Sequence, residues 1–362
     1  MGGSLTVRVS RLRTNVAFGA VVIAALLVSI IVLLGYLSSA PSASMIRLGY
    51  LPNVTHAQAL FAVSTGLYQQ AFGPDFLIQA QAFNAGPAAM EALLSNRVDL
   101  VFVGPSPTLN GLAVTGPDAP DAPRVIAGGA SGGASFVVQP DVDLTTNASF
   151  AGKKFATPQA GNTQDIALKH YLKEVRGHRT LDQGGDVDVI NAANPDIFTL
   201  FQLRQIDGAW VPEPWATRLV LEANARVYLD ERSLWPNGQF VTTHLVTTKR
   251  YLDGHRDVLA KFLDVQVNVT LRPQGANASD LRAINDAIAN VTGSGLLEAT
   301  FATAFANLNI TYDPIRTSLA TYLAWAQDLG FIPSGVSASP LYDLRLLNEI
   351  LSRRGLPTVT GL

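Results

Sequence analysis

The chain has 362 residues, 48% hydrophobic and 15% charged, with a formal net charge of -2. This suits two well-buried lobes of ordinary domain size and excludes a disordered or solvating chain. Lys and Arg are scattered beyond the first dozen residues, so no basic stripe follows a nucleic acid backbone; with no cysteine, disulfides, thiolate nucleophiles, cysteine-based metal sites and a cysteine-linked lipid anchor are excluded too.

In chain order, residues 1–15 form a basic tail carrying Arg8, Arg11 and Arg13, and residues 16–37 are an uncharged apolar run. A span of about 20 apolar residues crosses a bilayer, and the basic flank stays cytoplasmic. The expectation is a membrane anchor with everything beyond it outside the cell; the alternative is a cleaved signal sequence with small residues at 42–44. Residues 38–44 read as a linker. Asn-x-Ser/Thr sequons begin at Asn53, Asn147, Asn268, Asn277, Asn290 and Asn309. Those at 268, 277 and 290 are expected on a solvated face, and Asn53 is expected to be bare.

The folded part begins at residue 45. Apolar spacing predicts a strand at 46–50, a helix at 56–70, a strand at 76–83, a helix at 87–95 and a strand at 100–103. A second alternation predicts strands at 154–156, 187–190 and 208–211, with helices at 163–175, 197–205 and 214–223. An extended return at 240–248 precedes helices at 258–269, 318–329 and 341–352. The order βαβα predicts mostly parallel sheets covered by helices, with ligands outside the carboxyl ends of the strands.

Five junctions therefore draw attention. Gly49 to Ala57 contains Asn53, Thr55 and His56 before a helix. Gly104-Pro105-Ser106-Pro107-Thr108 follows a buried strand as a stiff turn, and lacks the spacing of a nucleophile elbow. Ala130 to Ser135, with Ser131, is Gly-rich without a Walker lysine. Thr157 to Asp165 places Asn162, Thr163 and Gln164 at a helix start, where backbone donors and the positive dipole end suit a sulfonate, carboxylate or nitrate. Trp210-Val211-Pro212-Glu213-Pro214-Trp215 sets two indoles around a carboxylate, an apolar ligand wall with Glu213 able to orient a donor. Each junction also has a purely structural reading as a capped helix start, turn or packed edge. The histidines at 56, 170, 178, 244 and 255 lack metal-ligand spacing, and residues 182–188 read as an acidic turn rather than a calcium loop.

Phe83-Asn84-Ala85-Gly86-Pro87, Val98-Asp99-Leu100, Gly104-Pro105-Ser106-Pro107, Ala151-Gly152-Lys153-Lys154, Gly161-Asn162-Thr163-Gln164-Asp165 and Ile206-Asp207-Gly208-Ala209-Trp210 together resemble the extracytoplasmic solute-binding proteins of nitrate, sulfonate, taurine and bicarbonate ABC importers, relatives of thiamine-precursor-binding proteins. The resemblance covers nearly all of the chain after residue 45. It implies an α/β, type II periplasmic-binding-protein fold: lobe 1 from residues 45–135 and 241–362, lobe 2 from 136–240, and crossover strands near 126–138 and 240–248. It implies a ligand pocket of Asn53, His56, Gly104, Ser106, Ser131, Asn162, Thr163, Gln164, Trp210 and Glu213, no cofactor, and a monomer that serves an ABC permease and its ATPase subunits. No arginine or lysine lies in these motifs, so either neutral donors hold the anion or the ligand is neutral or zwitterionic. A thiamine pyrimidine precursor and a sensor role are the alternatives. A pyrimidine-synthesis enzyme of this fold is disfavoured, because those enzymes resemble one another in a cysteine-rich motif that is absent here.

Overall fold

The structure, a computed structural model, describes residues 44–272 and 278–359. The expected anchor at 16–37 and the sequon at Asn277 lie outside the described residues; among the described residues no helix is long and apolar enough to cross a membrane.

The first element is β1 (Ser44–Tyr50), followed after a short 3-10 turn at Val54–His56 by α1 (Ala57–Ser64) and α2 (Leu67–Phe72). The sequence pattern predicts one helix here, but Gly66 at φ +68 turns the chain left-handed and splits it in two. Then come β2 (Phe76–Ala82), α3 (Gly86–Leu94), β3 (Leu100–Val103), α4 (Pro105–Thr115), β4 (Pro123–Gly132) and β5 (Ala134–Val138). β6 (Lys154–Thr157), α5 (Thr163–His170), β7 (Asp188–Asn191), α6 (Asn194–Gln202), β8 (Gly208–Pro212), α7 (Trp215–Glu222) and β9 (Arg226–Asp230) follow. The chain finishes with β10 (Val241–Thr248), α8 (Lys249–Gly254), α9 (Arg256–Leu271), α10 (Ala278–Thr292), α11 (Glu298–Ala306), β11 (Leu308–Ile310), α12 (Arg316–Asp328) and α13 (Arg345–Arg353).

Two sheets result, one of six strands in the order β11-β4-β10-β3-β1-β2 and one of five in the order β7-β6-β8-β5-β9. β1 and β3 run parallel, as do β7, β6 and β8, whereas β10 and β5 pair antiparallel with their neighbours. The chain passes between sheets at Gly132-Gly133, both at positive φ, and returns through Glu231 to Phe240. The expected second crossing at 240–248 is thus displaced: β10 lies wholly inside the six-stranded sheet, held by β3 and β4.

Helices cover both faces of each sheet, so the central strands read as unbroken apolar runs. In β3, Leu100 and Phe102 enter the core beneath α1 and α9, whereas Val101 and Val103 enter the opposite core beneath α3, α4 and α12. In β5, Phe136 and Val138 pack with Trp210, and Val137 packs on the other side with Phe201 and Trp215. Sheets covered this way leave the strand ends, rather than a sheet face, for function. The exposed sequon asparagines include Asn147, Asn268, Asn290 and Asn309, whereas Asn53 is 3% exposed.

Candidate functional site

Four helices begin around one small cavity of about 30 Å³. Its lining includes Ala85 and Gly86 at the start of α3, Gly104 at the start of α4, Asn162, Thr163 and Gln164 at the start of α5, and Asn194 at the start of α6. The first two helices follow strands of the six-stranded sheet and the last two follow strands of the five-stranded sheet. A helix start leaves up to four N–H groups without an intrahelical partner and carries a positive partial charge. The starts of α3, α4 and α6 receive no side-chain cap, but Pro87, Pro105, Pro107 and Pro195 carry no N–H, so only the remaining first-turn amides, Ser106 alone in α4, can serve a ligand.

The start of α5 is built differently. Asn162 Oδ1 accepts the Asp165 N–H at 2.8 Å, a true N-cap. Asp165, fully buried, then draws the preceding loop inward: it accepts from Thr157 Oγ1 at 2.8 Å, the Gly161 N–H at 2.9 Å and Asn191 Nδ2 at 3.2 Å, and pairs with Lys169 at 3.1 Å. Gly161 takes φ +71, which allows the tight turn before the cap. One internal carboxylate therefore fixes the loop, and the loop presents Thr163 and Gln164 to the cavity.

From the other sheet, β1 delivers Asn53 and His56. The His56 ring accepts the Leu51 N–H through Nδ1 at 3.3 Å, and burial pushes its pKa down to about 3. The ring is neutral near pH 7, with Nε2–H as its donor. Asn53 Oδ1 accepts from Trp215 Nε1 at 3.1 Å, a bond that ties the β1 loop to α7 and leaves the amide NH2 as a donor. Gly104 sits so close to α5 that a Cβ there would lie 2.5 Å from Thr163 Oγ1. Among the described residues the lining contains no Asp, Glu, Lys or Arg. The cavity therefore offers neutral donors and helix dipoles to a small polar or anionic group.

Six residues expected at the site, Asn53, His56, Gly104, Asn162, Thr163 and Gln164, line this cavity. Four others do not. Ser131 lies within β4, paired with Val241 and Asn309. Trp210 is fully buried in a core, stacked on Phe136, and donates through Nε1 to Glu231 at 2.8 Å, so it forms no ligand wall. Glu213 accepts from Thr217 N at 3.0 Å, Thr217 Oγ1 at 2.9 Å and Asn307 Nδ2 at 2.7 Å, which uses its oxygens for structure; burial raises its pKa. Ser106 lines a neighbouring, larger cavity. Asn84 and Asn194 were missed as lining residues. Asn194 is 4% exposed and its Oδ1 has no hydrogen-bond partner among the described residues.

Further contacts bind the two sheet systems around the cavity. Tyr322 donates to Glu231 at 2.5 Å, Lys173 pairs with Asp328 at 2.5 Å, and the His170 ring stacks on Trp325 with centroids 4.3 Å apart. With the Asn53–Trp215 and Glu213–Asn307 bonds, these contacts join the two sheet systems.

Comparison with known proteins follows the same lines. The alkanesulfonate-binding protein SsuA of Xanthomonas axonopodis pv. citri, bound to MOPS, superposes with a TM-score of 0.65 at 20% identity, covering 83% of this chain and 98% of that one. The periplasmic aliphatic sulphonate binding protein SsuA of Escherichia coli gives 0.64 at 19% identity, covering 83% and 97%. The periplasmic nitrate-binding protein NrtA of Synechocystis PCC 6803 gives 0.68 at 14% identity, covering 88% and 91%. At these identities the likeness is one of fold. No curated protein matches the sequence. Residues 39–283, more than half of the chain, match one sequence family, and the chain belongs to the NMT1-like family.

Proposed function

We propose that this protein is the extracytoplasmic solute-binding component of an ABC importer, capturing a small organic anion between two lobes and delivering it to the permease. Lobe 1 comprises residues 45–135 and 241–362, lobe 2 residues 136–240, and the apolar run at 16–37 tethers the pair to the membrane. The observation that carries this reading is the convergence of four helix starts, two from each sheet, on one cavity without charged side chains. Donors of this kind neutralise an anion by dipoles and hydrogen bonds, and no metal or base is needed to hold it. A sulfonate suits them: its three oxygens take several N–H donors at once and it stays ionised at any ordinary pH. The sulfonate and nitrate ligands named for the structurally similar proteins support the same class. Binding without catalysis is the reading favoured here, since the cavity holds no nucleophile paired with a base: its one imidazole is neutral, with Nδ1 engaged by a backbone amide.

Thermal unfolding with taurine, alkanesulfonates, nitrate, bicarbonate and hydroxymethylpyrimidine tests the assignment. A ligand at about 100 times its dissociation constant stabilises the fold by about 2.7 kcal/mol. Stabilisation by the sulfonates alone is the expected result; stabilisation by the neutral pyrimidine alone would displace the anion.

A further inference from the structure

Trp215 does not line the anion cavity, yet it sets the polarity of a residue that does. Asn53 lines the cavity, is 3% exposed, and meets Trp215 through a hydrogen bond in which the indole Nε1–H donates to Oδ1 at 3.1 Å. An indole nitrogen is a donor only, whereas a carboxamide carries an acceptor at one end and two donors at the other. The bond therefore settles which end of the Asn53 amide goes where. Oδ1 turns to the indole, and the NH2 group, which has no acceptor among the described residues, is left for the cavity. Turned the other way round, the same side chain would set an oxygen against an anion.

The indole is fixed in its turn by its own helix. Arg218, one turn along α7, holds its guanidinium over the Trp215 ring at 4.8 Å and over the Phe198 ring of α6 at 4.7 Å. Its Nε donates to Glu222 Oε2 at 3.1 Å, and Glu222 Oε1 accepts from Thr300 Oγ1 of α11 at 2.9 Å. Positions 215, 218 and 222 have the three- and four-residue spacing that brings side chains together on one helix face. A planar guanidinium can lie on a ring while its edge still donates to a carboxylate, a combination that an ammonium lacks. The chain of contacts thus runs from Thr300 through Glu222, Arg218 and Trp215 to Asn53.

We infer that Trp215 and Arg218 are positioning residues for the anion site: Arg218 holds the indole, the indole holds the Asn53 carbonyl, and that wall of the cavity presents a donor in place of an acceptor. The arrangement selects anions against cations. This rests on the anion-binding reading of the cavity and deepens it by naming the residues, outside the cavity, that impose its sign. Asn53 follows β1 of the six-stranded sheet and Trp215 follows β8 of the five-stranded sheet, so the donor is set only where the two sheets meet.

Calorimetric titration with ethanesulfonate, taurine and nitrate tests this on the full chain, on Trp215→Phe, on Asn53→Ala and on the double variant, with melting curves to confirm that each folds. Phenylalanine keeps a ring beside Arg218 and removes the N–H. In Trp215→Phe the Asn53 oxygen loses its donor and turns to the helix-start N–H groups of the cavity. One hydrogen bond of ordinary strength favours that turned state by about tenfold, and affinity for the anions falls by the same factor. Asn53→Ala lowers affinity by at least as much, and Trp215→Phe added to it changes affinity no further. Arg218→Met weakens binding by a smaller factor, again only while Asn53 is present. If Trp215→Phe or Asn53→Ala keeps parental affinity, or if Trp215→Phe costs the same affinity with and without Asn53, the positioning role fails and the anion site stands. If none of the anions binds the folded parent, both fail together.

Discussion

Glu213 separates a structural from a ligand-binding account most sharply, because the sequence reading places it in the pocket and the structure gives its oxygens to the protein itself. Its carboxyl joins β8 of the five-stranded sheet to Asn307, which lies between α11 and β11, and it also satisfies the Thr217 amide and hydroxyl. In Glu213→Ala three donors lose their acceptor. At roughly 1 kcal/mol for each donor the cost is about 3 kcal/mol, a fall of roughly 4–5 °C in melting temperature for a chain of this size. Glu213→Gln keeps one acceptor oxygen but sets an NH2 group against a donor, so it recovers only part of the loss. Urea unfolding of Glu213→Ala, Asn307→Ala and the double variant gives the coupling directly; neighbouring partners of this kind couple by about 0.5–3 kcal/mol. The double variant should be less destabilised than the sum of the singles. A Glu213→Ala protein with parental stability that has lost ligand affinity would refute this reasoning and return Glu213 to the ligand.

Gly104→Ala pushes a methyl group into Thr163 Oγ1; the protein folds, ligand affinity falls by at least tenfold in calorimetry, and Thr163→Ala on the same chain restores part of it. Asn162→Ala removes the α5 cap and lowers stability by about 1 kcal/mol in urea unfolding. Glu231, buried between Trp210 and Tyr322, has its pKa raised to about 7 by burial. The folded state therefore holds a proton that the unfolded chain releases above its ordinary value of 4.5, so stability falls as pH rises from 4.5 to 7, by up to about 3 kcal/mol. Glu231→Gln abolishes that slope in pH-dependent denaturation, and a parental slope retained in the variant would assign it to another group.

Much of the fold was legible because the alternation of apolar runs and helical spacing is local. The β3 strand at Leu100–Val103 coincides with its predicted range, and β1, β6, β8, α3 and α7 lie within a residue or two of theirs. What escaped had nonlocal or ambiguous causes. Pro105 and Pro107 suggest a stiff turn, yet a proline in the first turn loses no hydrogen bond, and α4 begins there. The same signature recurs at Gly86-Pro87 and Asn194-Pro195, so small-residue-then-proline before an apolar period was the available signal for two more walls of the cavity. Trp210 misled because its partner, Glu231, comes from the crossing segment after β9, which the sequence pattern left undivided. Ser131 misled because a Gly-rich run suggests exposed backbone, whereas β4 pairs there on both sides.

The most direct measurement is a crystal structure of the protein with the tightest-binding alkanesulfonate. The account predicts sulfonate oxygens within about 3 Å of N–H donors at the starts of α5 and α6, beside Asn53 and His56, with no Lys or Arg in contact. A sulfonate held by an arginine or lysine, or seated away from the four helix starts, would contradict it.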